Sequence, residues 1–228
     1  MNFKNIKLVV FDMAGTTINE QNIVYKTLQK AINNQGLNVS LDDVLINGAG
    51  KEKLQAIKDI LKPLQDDNLR EGLAKEIFTD FQELLDDAYE ELEVETFDGI
   101  LDLFNLLRQK NIKIVLNTGY NIGIATTLLD KLAWYQDEEY DLLITANDVE
   151  NSRPNPEMIE LARTHFKITK PSQVLKAGDT AVDVLEGKNA NCGITVGVLS
   201  GAQTKTQLEK ANPNLIVDTL KDLIPYFK

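Results

Sequence analysis

Five short runs of apolar and β-branched residues alternate with segments whose apolar residues recur at helical spacing. Each run is bounded by Gly, Asn, Asp or Thr, and the runs occupy residues 6–11, 112–117, 142–145, 174–177 and 194–199. Continuous apolar character predicts strands that are buried on both faces. Helical spacing marks residues 99–109, 122–134, 156–166 and 181–189. This alternation predicts an α/β fold with a parallel sheet covered by helices on both faces, because parallel neighbours need crossover connections.

Residues from about 19 to 95 interrupt the alternation, because their apolar residues recur only at helical spacing. The clearest examples are Ile77, Phe81, Leu84, Leu85 and Ala88. The sequence therefore predicts an α-helical domain inserted after the first strand. We expect residues 1–18 and 96–228 to form the core domain and residues 19–95 to form the insert.

Composition and charge narrow the classes of function. The chain has 228 residues, of which 43% are hydrophobic and 26% charged, as in ordinary soluble proteins. A single cysteine, the lack of a signal-peptide core and the lack of a long apolar stretch predict a cytoplasmic protein. The net charge of −11 argues against nucleic acid or an anionic membrane as a partner. The oligomeric state, monomer or homodimer, stays open.

The first predicted strand ends on a carboxylate. Residues 9–17 read Val-Val-Phe-Asp-Met-Ala-Gly-Thr-Thr, so Asp12 is delivered from a buried strand into a Gly-Thr turn. Ligands of parallel α/β sheets bind at the carboxyl ends of the strands. A carboxylate there can act as a nucleophile that forms a covalent intermediate. The position of Asp12 therefore predicts an enzyme that works through an aspartyl phosphate.

Three further motifs follow at or just beyond strand ends. Thr118 in Asn-Thr-Gly-Tyr offers a hydroxyl for a phosphoryl oxygen, and Arg153 in Ser-Arg-Pro offers a cation. The segment Gly-Asp-Thr-Ala-Val-Asp places Asp179 and Asp183 at the start of a predicted helix. Two acids there are compatible with capping of the helix or with a metal site. Together, the four motifs predict an enzyme that acts on a phosphoryl group and uses positive charge to bind it.

In this order around a helical insert, the motifs resemble those of the haloacid dehalogenase-like hydrolase superfamily over essentially the whole chain. The resemblance implies a Rossmann-like core with a helical cap domain. It also implies that Asp12 attacks phosphorus and that Mg²⁺ is the cofactor. Its ligands would be Asp12, the backbone carbonyl of Ala14 and Asp179, with Asp183 as a further acid that is held through water or lies just outside the ligands. The implied partner is a small phosphorylated or phosphonate substrate.

The resemblance also assigns residues around the phosphoryl group. Thr118 and the amide of Gly119 would orient it, and Arg153 would stabilise its charge. Tyr120, which follows this pair, fits the phosphonatase branch of the superfamily, where it would line the substrate site.

The segment Asp-Met-Ala-Gly-Thr-Thr at residues 12–17 resembles that same phosphonatase branch. Phosphatases of the superfamily generally carry a general acid where this chain has Ala14. Cleavage of a carbon–phosphorus bond needs an electron sink instead, which a cap lysine supplies in phosphonatases by forming a Schiff base. Gly48-Ala49-Gly50-Lys51 matches the cap-loop pattern Gly-x-x-Lys, so Gly48 and Lys51 are candidate substrate-site residues. Leu54 departs from the branch, which has a histidine there.

Three functions are therefore expected in order of preference. The first is Mg²⁺-dependent hydrolysis of a small phosphonate or other organophosphorus compound. The second is a phosphatase for small phosphomonoesters in which Lys51 binds substrate electrostatically. The third is a weakly catalytic protein that senses phosphate or binds a partner.

Overall fold

The computed structural model describes residues 2–49, 53–64 and 66–228. The chain divides into two compact units, one formed by Met1–Glu20 and Val94–Lys228 and the other by Gln21–Glu93. Lys51, the predicted cap lysine, lies outside the described residues. The role of the second unit as a cap stays a prediction.

The first unit contains a parallel sheet of six strands. The strands of the chain are β1 (Leu8–Asp12), β2 (Ile18–Asn19), β3 (Glu95–Thr96), β4 (Lys113–Asn117), β5 (Leu142–Ile144), β6 (Val174–Gly178), β7 (Ile194–Val198) and β8 (Leu215–Val217). The order in the sheet is β5-β4-β1-β6-β7-β8, and every neighbouring pair is parallel. The predicted α/β fold with a parallel sheet is confirmed.

Helices connect most of these strands. The helices are α1 (Ile23–Asn34), α2 (Leu41–Gly48), α3 (Lys53–Ile60), α4 (Asp67–Glu91), α5 (Ile100–Gln109), α6 (Ile122–Lys131), α7 (Glu157–His165), α8 (Ala181–Asn189), α9 (Lys205–Lys210) and α10 (Ile224–Phe227). Within the described part of the chain, no helix combines the length and the apolar character needed to cross a membrane.

The continuous apolar runs form the strands because both faces of the sheet are buried. Every residue of β1, β6 and β7 is buried. Leu8, Val10 and Val115 pack with Met158 and Ile159 of α7 in one core cluster. Buried strands leave their side chains no exposed face, so only the strand ends can present polar groups to a ligand. The core thus determines where a site can form.

The second unit consists of α1 to α4 in its described part. In α4 the buried residues are Ala74, Ile77, Phe81, Leu85 and Tyr89, which recur every three or four positions. This spacing places them on one face of the helix. The predicted helical character of this segment is therefore observed in α4.

Several elements of the first unit were not predicted, among them a short ribbon, the last strand and the helices α9 and α10. The strands β2 and β3 pair antiparallel, with Ile18 opposite Thr96 and Asn19 opposite Glu95. The Thr96 hydroxyl adds a hydrogen bond of 3.1 Å to the Thr17 carbonyl oxygen. Strands of two residues are too short to show a period in the sequence. The three-residue strand β8 was not predicted either.

Candidate active site

The predicted site residues of the core meet at one edge of the sheet. Asp12 ends β1 and pairs in register with Asn117, which ends β4. Phe11 pairs with Ala177 of β6, so Asp179 follows that strand at the same edge. The carboxyl ends of these neighbouring parallel strands therefore bring Asp12, Thr118 and Asp179 to one place, as the sequence predicted.

A tight turn follows Asp12. The Thr17 hydroxyl lies 3.0 Å from the Asp12 carbonyl oxygen and 3.2 Å from that of Met13, and it can donate to either. Gly15 has a φ of +79°, which glycine adopts without the steric cost that a side chain imposes. A Cβ at Gly15 would also lie 2.7 Å from Asp179 Oδ2. The turn thus holds the backbone around Ala14 close to the carboxylates.

Three buried carboxylates form a compact group. One oxygen from each of Asp12, Asp179 and Asp183 lies within 4.8 Å of the others. Hard carboxylate oxygens in such proximity are the ligands that Mg²⁺ prefers. The structure therefore brings together the side chains that the resemblance assigned to the metal.

Arg153 lies between two of these carboxylates. Its Nη1 donates to Asp12 Oδ1 and to Asp183 Oδ1, each at 2.6 Å. The arginine side chain is 15% exposed, so these ion pairs are largely shielded from water. A Cβ at Gly119 would lie 3.2 Å from Arg153 Nη2, which shows how closely the backbone there approaches the guanidinium.

Burial and mutual repulsion raise the pKa values of two of these acids, whereas neighbouring cations lower the pKa of the third. Burial, followed by the charge of Asp183, raises the pKa of Asp12 to about 6. Burial, followed by the charge of Asp12, raises the pKa of Asp179 well above its ordinary value. Burial would also raise the pKa of Asp183, but Lys176 and Arg153 outweigh it and the pKa falls below its ordinary value. Asp183 is thus the acid most strongly held in its ionised form.

The predicted phosphate-binding residues of the core follow β4, which neighbours β1 in the sheet. The Thr118 amide donates to the Ile144 carbonyl oxygen at 3.0 Å, and the Thr118 hydroxyl accepts from the Tyr120 amide at 3.1 Å. Gly119 is exposed and Tyr120 half-buried. In the helical unit, Gly48 ends α2, and a Cβ there would lie 3.4 Å from Ala56 Cβ. The binding roles of these residues stay predictions.

A buried polar network beside the carboxylates was missed. Lys176 in β6 was counted within an apolar run, although its side chain has no exposure. Its Nζ lies 2.6 Å from Asn117 Oδ1 and 3.1 Å from Glu186 Oε2. The signal was present in the sequence, because a lysine in the middle of a buried strand requires a partner.

A second group missed from the sequence is the loop after β7. The Ser200 hydroxyl donates to the Gly15 carbonyl oxygen at 2.7 Å, and the Ala202 amide donates to Asp179 Oδ2 at 2.6 Å. A Cβ at Gly201 would lie 2.1 Å from the same Asp179 oxygen. Backbone atoms of this loop therefore fix the orientation of Asp179, and backbone contacts carry no residue pattern that the sequence could reveal.

We predict that Gly201→Ala weakens Mg²⁺ binding by roughly 10- to 100-fold, because the added Cβ displaces a carboxylate that the loop now orients. Titration calorimetry with MgCl₂ measures this change. Gly72→Ala is the matched control, since a Cβ at that helical position has nothing within 4 Å. The control should keep the parent affinity and gain about 0.5–1 kcal/mol in helix stability. Equal Mg²⁺ affinities in both variants would contradict the role of this loop in orienting Asp179.

The chain is similar to several known proteins over most of its length. The chain is 26% identical to the pyrophosphatase PpaX of Bacillus cereus (strain B4264), over 96% of this chain and 95% of that protein. It is 30% identical to the phosphonoacetaldehyde hydrolase of Latilactobacillus sakei, over 87% of this chain and 77% of that protein. A solved phosphonoacetaldehyde hydrolase-like protein from Oleispira antarctica superposes with a TM-score of 0.79 at 20% identity, covering 98% of this chain and 91% of that one.

The family model described as haloacid dehalogenase-like hydrolase matches residues 6–191. This span includes Asp12, Thr118, Arg153, Asp179 and Asp183, so the motifs and the family match cover the same part of the chain. The chain belongs to the haloacid dehalogenase-like hydrolases.

Proposed function

We propose that this hydrolase transfers a phosphoryl group from a small organophosphorus substrate to Asp12 and then to water. The observation that carries the proposal is the position of the Asp12 carboxylate, which ends β1 2.6 Å from Arg153 and beside Asp179. An oxygen of Asp12 would attack phosphorus while the bond to the leaving group breaks. Water would then hydrolyse the aspartyl phosphate and release inorganic phosphate.

The charge of the cluster supports Mg²⁺ as the cofactor. The ionisable side chains of this cluster are the carboxylates of Asp12, Asp179, Asp183 and Glu186 and the cations of Arg153 and Lys176. When all are ionised, four carboxylates face two cations, and a divalent cation offsets the difference. Asp12, Asp179 and the Ala14 carbonyl would hold the ion, with Asp183 binding directly or through water. Bound Mg²⁺ supplies positive charge against the phosphoryl oxygens.

The remaining residues around Asp12 would orient the phosphoryl group. Arg153 carries charge into the site and would stabilise the transferring group. The Thr118 hydroxyl and the Gly119 amide would donate to its oxygens, and Tyr120 would line the substrate. Such placement contributes to catalysis because the reacting atoms are held in a productive geometry.

Ala14 limits the choice of substrate. A general acid typically contributes about 10²–10⁴ in rate when the leaving group must be protonated. Ala14 has no proton to give. The alkoxide of an alkyl phosphomonoester would therefore leave poorly from a site that lacks another acid. A phosphonate with a neighbouring carbonyl avoids this need. Lys51 would form an iminium with the substrate carbonyl by loss of water, and the electron pair of the breaking carbon–phosphorus bond would pass into it. Protonation and hydrolysis of the resulting enamine would release the carbonyl product and free Lys51. We therefore place a carbonyl phosphonate first, in line with the 30% identical phosphonoacetaldehyde hydrolase.

A second candidate is a phosphatase, and the 26% identity to a pyrophosphatase over 96% of the chain favours it. A phosphoanhydride fits Ala14 for a different reason, because its leaving group is a phosphate anion that departs without prior protonation. In this case Lys51 would attract the substrate by charge alone and form no covalent bond.

Phosphate release from phosphonoacetaldehyde, pyrophosphate and an alkyl phosphomonoester tests the proposal. We expect Mg²⁺-dependent release from phosphonoacetaldehyde, and irreversible inactivation when borohydride is added together with that substrate. Mass spectrometry should then locate the reduced adduct on Lys51. Lys51→Ala should lower the rate by at least about 10²-fold, as for loss of an essential catalytic group.

Lys53→Ala is the matched control, because Lys53 lies two residues after Lys51 in the sequence. Its ammonium lies 5.1 Å from the centre of the Tyr25 ring. It should keep both the rate and the borohydride sensitivity. Hydrolysis of pyrophosphate without borohydride sensitivity, together with full activity in Lys51→Ala, would replace the phosphonatase proposal with the phosphatase.

A further inference from the structure

A lysine is buried in the middle of the sheet beneath the candidate site. Lys176 belongs to β6, which lies between β1 and β7, and its side chain has no solvent exposure. Burying an ammonium group away from water is costly unless it is paired and hydrogen-bonded. A Cβ at Gly187 would lie 2.9 Å from Lys176 Cβ, so α8 also packs tightly against the stem of this lysine. The surroundings hold Lys176 in one place.

The three donors of the ammonium group are matched by three acceptors. Its Nζ lies 2.6 Å from Asn117 Oδ1, 3.1 Å from Asp183 Oδ1 and 3.1 Å from Glu186 Oε2. Asn117 Nδ2 in turn lies 2.9 Å and 3.1 Å from the two carboxylate oxygens of Glu186. Asn117 and Glu186 thereby fix the ammonium group from two sides, and its third contact points towards the site.

The third contact of Lys176 is Asp183, which also binds Arg153. Asp183 Oδ1 accepts from Arg153 Nη1 at 2.6 Å, and the same Nη1 donates to Asp12 Oδ1 at 2.6 Å. The other oxygen, Asp183 Oδ2, accepts from the Thr180 hydroxyl at 2.6 Å. Lys176 therefore contacts Asp183 Oδ1 and Thr180 contacts Oδ2. Arg153 binds the same Oδ1 as Lys176.

We propose that Lys176 is a positioning residue that acts through Asp183 to place the guanidinium of Arg153 beside the nucleophile. This inference rests on the proposed function, in which Arg153 stabilises charge on the transferring phosphoryl group. Without Lys176, Asp183 interacts with Arg153 as its main cationic partner and draws the guanidinium away from Asp12. A displacement of about 1 Å in such a group can cost on the order of 10²-fold in rate.

A purely structural role makes a different prediction, because Lys176 also neutralises the buried carboxylate of Glu186. Lys176→Met alone leaves that carboxylate without its cation and should lower the unfolding temperature as well as kcat. The double variant Lys176→Met/Glu186→Gln removes both charges, so its unfolding temperature should return towards that of the parent. If Lys176 positions Arg153, kcat of the double variant should stay about 10- to 100-fold low.

Lys113→Met is the matched control. Lys113 also lies on a core strand and forms an ion pair of 2.6 Å with Asp141, but it begins β4 at the opposite edge of the sheet. Its substitution should leave kcat unchanged. Recovery of the parent kcat in the double variant would overturn the proposal and leave Lys176 as a counter-charge of Glu186.

Arginine NMR provides a measurement that does not depend on turnover. The chain has four arginines, so the Nε–Hε signal of Arg153 can be identified by its loss in Arg153→Lys. This signal should shift in the Lys176→Met/Glu186→Gln protein and stay in place in Lys113→Met. An unshifted signal in the double variant would overturn the proposal. If the parent releases no phosphate from any substrate, the proposed function fails, while the arginine signal still decides the role of Lys176.

Discussion

Asp12→Asn should abolish phosphate release, with a loss on the order of 10⁴-fold or more, as for removal of a covalent nucleophile. The carboxamide keeps the shape of the side chain and can still accept from Arg153, which lies 2.6 Å from Asp12 in the parent. It cannot attack phosphorus. Release of phosphate, followed with a coupled colorimetric assay at saturating Mg²⁺, measures the loss. We therefore expect Asp12→Asn to lose activity while the protein stays folded.

The same variant should be more stable than the parent when no metal is present. The pKa of Asp12 is raised from 3.8 to about 6, so the folded state binds this proton more tightly than the unfolded state. Stability from this group is present below pH 4 and is lost as the pH rises through 6. At pH 8 the ionised carboxylate therefore costs the folded state free energy, on the order of 3 kcal/mol. Asparagine removes that cost and should raise the unfolding temperature.

Asp102→Asn is the control for both measurements, because Asp102 is exposed in the first turn of α5. It should leave the rate unchanged and should not raise the unfolding temperature, because the substitution only removes the favourable interaction of an acid with the helix N-terminus. Residual turnover of Asp12→Asn above about 1% of the parent rate would mean that another group attacks phosphorus.

Asp179→Asn should remove the response of the protein to Mg²⁺ and lower turnover by at least about 10²–10³-fold. The asparagine can keep the hydrogen bond from the Ala202 amide, which is 2.6 Å long in the parent, while losing the negative charge. The measurement is the shift in unfolding temperature between EDTA and MgCl₂, recorded from pH 5 to pH 8.

The parent should show a pH-dependent shift in this experiment. The raised pKa values of Asp12 and Asp179 mean that the metal-free site holds protons at pH 5 that it loses as the pH rises through 6 and above. A cation competes with those protons, so Mg²⁺ should stabilise the parent more at pH 8 than at pH 5. Asp98→Asn is the control, since Asp98 is exposed and pairs with Lys221. An equal Mg²⁺ shift in Asp179→Asn and Asp98→Asn would exclude Asp179 as a ligand.

The sequence predicted the residues at the carboxyl ends of the strands better than the buried polar network around Lys176. Asp12, Thr118 and Asp179 follow apolar runs, and parallel strands bring such positions together whatever the details of packing. Arg153 lies in a loop, yet its place next to proline and its charge were sufficient to single it out. These residues carry local patterns, which is why they could be found.

Lys176 could not be linked to its partners from the sequence. Asn117 lies 59 residues earlier in the chain, and the contact exists only because β4 and β6 both neighbour β1. Glu186 lies on α8, 69 residues after Asn117 in the chain. The sequence is compatible with Asp183 as a helix cap or as part of a metal site, and the structure places it in contact with Arg153, Lys176 and Thr180. Such assignments depend on side-chain distances that no local pattern encodes.

The pairing of β2 with β3 has a consequence for the evolution of substrate choice. Ile18 and Thr96 are paired in register close to the points where the chain leaves the sheet unit and returns to it. Closing a loop there adds a free-energy cost that grows only slowly with the length of the inserted segment. Helical inserts of different size and sequence could therefore be exchanged at this ribbon while the nucleophile and its supporting charges stay intact, so that specificity diversifies independently of chemistry.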